Sequence, residues 1–217
     1  MKVGVDGVTL GSWVDVEDAA DILDIGTGTG LISLMLAQRS KAKITAIDID
    51  SDCVQQAKEN VANSLWNDRI LVLESSLQKF AESCGLSFDL IVSNPPFFTD
   101  SLKSPSFQRS IARHNVTLNH LDLIQNANRL LSERGKFSVI LPLTEEENFC
   151  QECQKNGLFC SKKVLVYPNI SKPAKRVLLE FRKMKVPCVE TELTIETERN
   201  VYTKNYQELV SDFYLKL

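Results

Sequence analysis

From Asp21 onward the chain alternates short apolar runs with segments whose apolar positions recur at helical spacing. Residues 21–25, 43–47, 69–73, 88–92 and 136–141 are runs rich in Ile, Leu and Val, the composition of strands buried on both faces. Residues 31–38, 52–63 and 121–131 carry helical periodicity, and Gly135, after Ser132-Glu133-Arg134, is the expected stop signal for the last of them. Strands alternating with crossover helices predict a doubly wound, mostly parallel sheet. The rhythm then changes. Residues 159–167 and 176–183 read as strands joined by the turn-rich 168–175 with no helix between them, which predicts an antiparallel pair at that edge of a mixed sheet. Residues 144–156 read as an amphipathic helix. Residues 94–117 form the one long stretch without clear periodicity, and long connections in compact domains are usually functional.

Composition narrows this picture only modestly. A chain of 217 residues, 43% hydrophobic, can bury one good-sized core. With 25 Lys and Arg against 28 Asp and Glu, the net charge of -3 gives no global positive field, so any nucleic-acid contact has to come from local basic patches. No apolar run is long enough to span a bilayer and no secretory leader is evident, which predicts a cytoplasmic protein with no membrane partner. The six cysteines, Cys53, Cys84, Cys150, Cys153, Cys160 and Cys188, are then expected to be reduced. Cys150-x-x-Cys153 followed by Cys160 has thiolate spacing that could share a zinc ion, but a fourth ligand at matching spacing is missing. Partly buried free thiols and no metal are the expectation.

Asp24-Ile-Gly-Thr-Gly-Thr-Gly30 follows a strand and opens a helix, the place where open α/β sheets bind ligands. Glycines there allow a sharp turn and close approach of a ligand to the backbone. The pattern disfavours a dinucleotide and excludes a phosphate loop. The dinucleotide fingerprint needs glycines at relative positions one, three and six, whereas Gly26, Gly28 and Gly30 occupy one, three and five; and no Lys-Ser/Thr pair follows to make a phosphate loop. Asp48 ends the second strand, where a carboxylate can accept hydrogen bonds from both hydroxyls of an adenosine ribose. Asp50, two residues further on, is expected near the N-cap of the next helix.

In these residues the sequence resembles the class I methyltransferases, in which an Asp-x-Gly-x-Gly-x-Gly turn receives the methionine end of S-adenosylmethionine. The resemblance implies a Rossmann-like α/β fold, with a seven-stranded, mostly parallel sheet and one antiparallel edge strand. It implies a cofactor site built from Asp24, Gly26, Thr27, Gly28, Asp48 and Ile49, with Ser75 and Ser76 flanking the adenine ring. S-adenosylhomocysteine would be the product.

Asn94-Pro95-Pro96-Phe97 directly follows the strand at 88–92. The two prolines fix backbone dihedrals and remove two N–H donors, which leaves a rigid loop with exposed carbonyl oxygens. An amino group conjugated to a ring or carbonyl is a poor nucleophile, so acceptors are needed that hold both of its N–H protons. The Asn94 side-chain oxygen and the Pro95 carbonyl are suited to that task, and Phe97 offers a face on which a flat base can stack. Asn94 would also border the cofactor. A sulfonium is a good leaving group, so positioning and electrostatic alignment can supply much of the rate. Asn/Asp-Pro-Pro-Tyr/Phe is the hallmark of amino-methyltransferases acting on adenine N6, guanine N2 or the glutamine side-chain amide.

The segment Met1 to Trp13 resembles the one ahead of the glycine turn in the bacterial tRNA(Val) adenine-N6 methyltransferase family, which modifies adenosine 37, just 3′ of the anticodon. By that resemblance Asp6 and Gly7 lie over the methionine part of the cofactor. The family usually has Thr where this chain has Val5 and about one more strand-like stretch upstream, which this chain is expected to lack. Residues 106–113 with His114, residues 168–176 followed by Val177-Leu-Leu-Glu180, and the ending 202–214 resemble further family segments, so the likeness covers nearly the whole chain. It implies a single, monomeric methyltransferase domain over residues 1–217: a partial cofactor-covering segment at 1–20, a cofactor-binding core at 21–142, and a C-terminal hairpin and helix at 143–217. Arg109, Arg113, Lys172 and Arg176 are the expected tRNA contacts, with Lys103, Lys162, Lys163 and Lys175 completing a basic rim. His114 and His120 have no ligand spacing and receive no role. The target base would have to be splayed from its loop to enter the pocket. Three alternatives share the loop or the fold: a glutamine methyltransferase of release factors, which normally carries Tyr at the Phe97 position and a separate helical domain, a guanine-N2 rRNA methyltransferase, and a non-catalytic RNA-binding relative.

Overall fold

In a computed structural model that describes residues 4–96 and 118–214, the apolar runs become strands of a single sheet. Strands β1 (Asp21–Ile25), β2 (Lys43–Asp48), β3 (Ile70–Glu74), β4 (Phe88–Ser93) and β5 (Leu131–Pro142) are parallel to one another. The expected antiparallel pair follows as β6 (Phe159–Asn169) and β7 (Arg176–Arg182). Two strands not anticipated, β8 (Val189–Glu198) and β9 (Val201–Tyr202), lie outside that pair, so the sheet has nine strands rather than seven, in the order β3-β2-β1-β4-β5-β7-β6-β8-β9. Strand β8 escaped notice because Glu190, Glu192, Glu196 and Glu198 leave only Leu193 of its residues buried, and a solvated outer strand lacks the apolar run that marks an inner one.

The helices cover both faces. On one face α1 (Val5–Trp13), α2 (Leu31–Arg39), α3 (Ser51–Ala62) and α7 (Lys204–Val210) bury Leu10, Leu36, Ala57 and Tyr206 against Ile22, Ile44, Leu90 and Ile140. On the other, α4 (Leu77–Ser83), α5 (His120–Leu130) and α6 (Glu146–Lys155) bury Leu77, Ile124, Ala127 and Phe149 against Leu23, Ile91, Val139 and Leu179. Alternate strand residues feed the two cores, which is why the inner strands read as continuous apolar runs. Helix starts follow side-chain chemistry: Asp50 accepts from the N–H groups of Asp52 and Cys53, Asn119 from that of Asp122, and Thr203 from that of Tyr206.

Gly135 does not end a helix. Helix α5 stops at Leu130, and Gly135 sits inside β5, where the register with β4 jumps from Phe88↔Leu131 to Leu90↔Lys136. The extra β5 residues bulge out, and a Cβ at Gly135 would stand 2.9 Å from the Phe88 carbonyl oxygen.

Candidate active site

The parallel strands end on a common edge, and β1 and β4 are register partners through Ile25↔Ser93. Gly26 and Asn94, the next residues of each strand, therefore leave the sheet side by side. The Ile47 carbonyl at the end of β2 accepts from Gly26 N–H (2.9 Å) and Thr27 N–H (3.0 Å), which folds the glycine turn back over the sheet edge. Gly26, Gly28 and Gly30 have φ of 71°, 58° and 81°, left-handed values that glycine adopts without strain. A Cβ at Gly26 would meet nothing within 4 Å, so the backbone there faces open space.

Asp24 lies fully buried below the turn. Its Oδ2 accepts from Thr27 Oγ1 (2.7 Å) and from Ser33 Oγ (2.7 Å), while Oδ1 is buried without a hydrogen-bond partner. Burial pushes its pKa up from 3.8 to about 6, opposed by the Ser33 and Thr27 bonds. Asp48 is held differently. Its Oδ2 accepts from Gly28 N–H (2.8 Å) and its Oδ1 from Asp50 N–H (3.0 Å), so the β2 carboxylate is pinned to the turn that follows β1. Burial raises its pKa too, against backbone donors from Asp50, Gly28 and Ile49. Each oxygen keeps an acceptor site for a further donor. Ser75 donates its N–H to the Asp48 carbonyl (2.9 Å) and its hydroxyl to the Ser76 carbonyl (3.0 Å), and Ser76 caps α4 by accepting from Lys79 N–H (3.3 Å). Both serines stand next to Asp48, with their hydroxyls engaged locally.

Asn94 is half-buried, Pro95 buried and Pro96 exposed. Helix α1 approaches this loop: a Cβ on Gly7 would stand 3.5 Å from Leu31 Cδ2 and 4.0 Å from Asn94 Nδ2. The segment expected to cover the cofactor is thus a helix set between the start of α2 and the Asn94 loop. Asp6 does not point into open space, because its Oδ2 accepts from Arg176 Nε at 2.9 Å. Phe97, Arg109 and Arg113 lie outside the described residues, as do Lys103 and His114.

The rest of the expected basic rim divides in two. Lys172 and Lys175 are exposed on the β6–β7 turn, at the same edge as Asn94. Lys162 pairs with Glu180 (3.5 Å), Lys163 with Glu146 (2.6 Å), and Arg176 with Asp6, so these cations already have carboxylate partners. Of the cysteines with zinc-like spacing, Cys153 is buried in the core, and among the described residues no group of three His, Cys, Asp or Glu could hold a metal ion. Sequence reasoning passed over one site-forming residue and one pairing. Ser33 was legible as the one hydroxyl in the apolar run Leu31-Ile-Ser-Leu-Met-Leu-Ala37. The Asp6–Arg176 pair, 170 residues apart, left no local signal.

Residues 8–145 match the family model of the methyltransferase small domain. A protein of Trichodesmium erythraeum named tRNA1(Val) (adenine(37)-N6)-methyltransferase is 49% identical over 219 residues, spanning 100% of this chain and 92% of that one. One of the same name from Phocaeicola vulgatus is 50% identical over 217 residues, with the same coverage of each. The chain belongs to this methyltransferase family. Among solved structures, a predicted O-methyltransferase from Agrobacterium tumefaciens shares the fold, with a TM-score of 0.74 at 21% identity over 95% of this chain and 96% of that one. A ribosomal protein L11 methylase from Lactobacillus delbrueckii shares it with a TM-score of 0.59 at 19% identity, over 82% and 77%. The methyltransferase uses S-adenosylmethionine, and the residues fit that cofactor. Asp24 Oδ1 lacks a partner that an ammonium group would supply, Asp48 retains acceptor sites for two ribose hydroxyls, and the backbone at Gly26 leaves room for close approach.

Proposed function

We propose that this methyltransferase transfers the methyl group of S-adenosylmethionine to the exocyclic N6 amine of adenosine 37 in tRNA(Val). The observation that carries the reading is the side-by-side exit of Gly26 and Asn94 from paired strands, which sets an amine-holding loop against a cofactor turn. The cofactor, when bound, supplies an electrophilic methyl on a sulfonium. The side-chain oxygen of Asn94 and the carbonyl of Pro95 accept hydrogen bonds from the two N6–H groups and draw the nitrogen lone pair out of conjugation. Asp24 holds the ammonium end of the cofactor and Asp48 its ribose, with Ile49, Ser75 and Ser76 beside the adenine. After transfer the methylated N6 nitrogen loses one of its own protons to solvent, and S-adenosylhomocysteine would be the by-product. Phe97 is the stacking face for the target base. Lys172 and Lys175 on the β6–β7 turn, with Arg109 and Arg113, contact tRNA phosphates, and a tRNA substrate places the reaction in the cytoplasm.

The test is methylation of unmodified tRNA(Val) read by nucleoside mass spectrometry. Wild-type enzyme yields N6-methyladenosine, whereas Asn94→Ala loses transfer by at least about a hundredfold, the scale of removing one preorganised transition-state contact, and still binds the cofactor. Absence of N6-methyladenosine with active wild-type protein, or full transfer by Asn94→Ala, overturns the reading.

A further inference from the structure

Asp24 is held by donors from two elements, the glycine turn and the N-terminus of α2. Leu31, Ile32 and Ser33 are the first three helical residues, and their N–H groups have no partner within the helix. The cap residue Gly30 has no side chain to satisfy them. Asp24, from the end of β1, stands at that place: Ser33 donates its hydroxyl to it at 2.7 Å, and Thr27 adds a second hydroxyl at 2.7 Å, while the Ser33 backbone N–H also favours the charged form. Ser33 is itself fully buried, and its Oγ lies 3.4 Å from Thr27 Oγ1, so the three groups form one closed cluster. Both hydroxyl donors converge on Oδ2. Oδ1 has none.

We propose that Ser33 is a positioning residue for the cofactor, holding Asp24 through Oδ2 so that the carboxylate stays ionised and its unpartnered Oδ1 meets the ammonium group of S-adenosylmethionine. This rests on the reading that Asp24 binds the methionine end. The chemistry behind it is simple. A carboxylate without water favours its protonated form, and a protonated Asp24 has no charge to offer an ammonium group. Donors on Oδ2 stabilise the charged form at the cost of only one oxygen. The titratable group facing Asp24 from the neighbouring strand is Asp48 on β2, which opposes ionisation; the glycine turn contributes Thr27 and α2 contributes Ser33. The two hydroxyls therefore offset both burial and a like charge.

The experiment measures the affinity of S-adenosylhomocysteine, which keeps the ammonium end, and of 5′-methylthioadenosine, which lacks it, from pH 5.5 to 8.5 by calorimetry. For the wild type, affinity for the homocysteine ligand falls as pH drops through about 6, where Asp24 takes up its proton, while methylthioadenosine binding stays level. Ser33→Ala moves that fall to higher pH, so binding at pH 7 weakens roughly three- to tenfold and recovers to within about twofold at pH 8.5. Ser33→Thr, which keeps a hydroxyl, follows the wild type. If Ser33→Ala does not fold, the wild-type profiles of the two ligands and that of Ser33→Thr still decide. A pH-independent loss in Ser33→Ala, or identical pH profiles for both ligands in the wild type, overturns the proposal. Asp24→Asn separates the two layers: if it leaves homocysteine-ligand affinity intact, the underlying reading fails, and if it weakens binding while Ser33→Ala matches the wild type, only the role of Ser33 fails.

Discussion

A buried carboxylate with an unpartnered oxygen is a cost in stability that a binding site can retain. For Asp24 the sign follows from its raised pKa. Between its ordinary value of 3.8 and about 6, the unfolded chain has released its proton and the folded chain still holds it, so raising the pH through this window removes stability. Two pH units correspond to roughly 3 kcal/mol, and the lost stability stays lost above pH 6. Asp24→Asn keeps the shape and the acceptor for Ser33 and Thr27 but carries no charge. Without cofactor it should be more stable than the wild type at pH 7 by roughly 1–2 kcal/mol, after allowing for the weaker neutral hydrogen bonds. Thermal unfolding from pH 4 to 7 should show a shallower decline for the variant, and cofactor addition should no longer raise its Tm. A variant less stable than the wild type at pH 7, with the wild-type pH slope, would falsify this account. At this scale the placement of Asp24, Asp48 and Asn94 at the strand ends was legible, because each sits at a fixed offset in an apolar run. Asp50 was legible as a cap for the same reason. The ion pairing of Arg176 was not, since a cation expected to meet RNA looks the same in sequence as one that meets Asp6.

At the scale of elements, the placement of glycines separates tight packing from turn geometry. Gly11 lets α1 lie close on α2, but the atom a Cβ would meet first is Met35 Sδ at 2.9 Å, the far part of a flexible side chain. Gly135 in β5 would bring a Cβ to 2.7 Å from Leu131 Cδ1 and 2.9 Å from the Phe88 carbonyl oxygen, and backbone paired in the middle of a sheet cannot move aside. Gly135→Ala should therefore destabilise by roughly 1–3 kcal/mol, the range for overpacking, while Gly11→Ala stays below about 1. Urea titrations of the two variants check the order, and equal shifts in midpoint would show that the bulge is softer than its contacts imply. The bulge also explains why Gly135 was misread as a helix stop. Sequence periodicity locates a helix end to within a few residues, but only the β4 register shows that the chain has already entered a strand at Leu131. Inner strands and amphipathic helices announced themselves through their apolar spacing. Outer strand β8 did not, because solvent replaces the second core face that gives an inner strand its pattern.

Across the whole molecule the two described ends of the chain meet beside the active site. Helix α1 reaches the Asn94 loop at Gly7, and α7 packs behind it through Tyr206, which is fully buried and places its hydroxyl 3.4 Å from Thr9 Oγ1. Tyr202 and Tyr214 extend this aromatic cluster, with Tyr202 5.2 Å from Tyr206 and 6.0 Å from Tyr214 between ring centroids. At its other end α1 is held by Arg39, whose Nη1 donates to the Gly11 and Val14 carbonyls at 2.8 and 2.9 Å. With its C-terminal end fastened to α2, α1 depends on α7 for the burial of its middle and on Arg176 for its start. Tyr206→Ala removes a fully buried ring and should destabilise by roughly 3–5 kcal/mol, whereas Tyr206→Phe loses only the hydroxyl's contacts with Thr9 and Tyr214, worth about 1 kcal/mol. The effect should not be uniform. Hydrogen exchange should rise first in α1, and affinity for S-adenosylhomocysteine should fall in Tyr206→Ala even at temperatures where the sheet remains protected, because the helix that flanks Asn94 has lost its backing. If the alanine variant exchanges evenly throughout and binds the ligand as tightly as the phenylalanine variant, the C-terminal helix is a stabilising appendage with no bearing on the site. Selective loosening of α1 would instead show that the C-terminal helix helps to set the geometry of the proposed pocket at the ends of β1, β2 and β4.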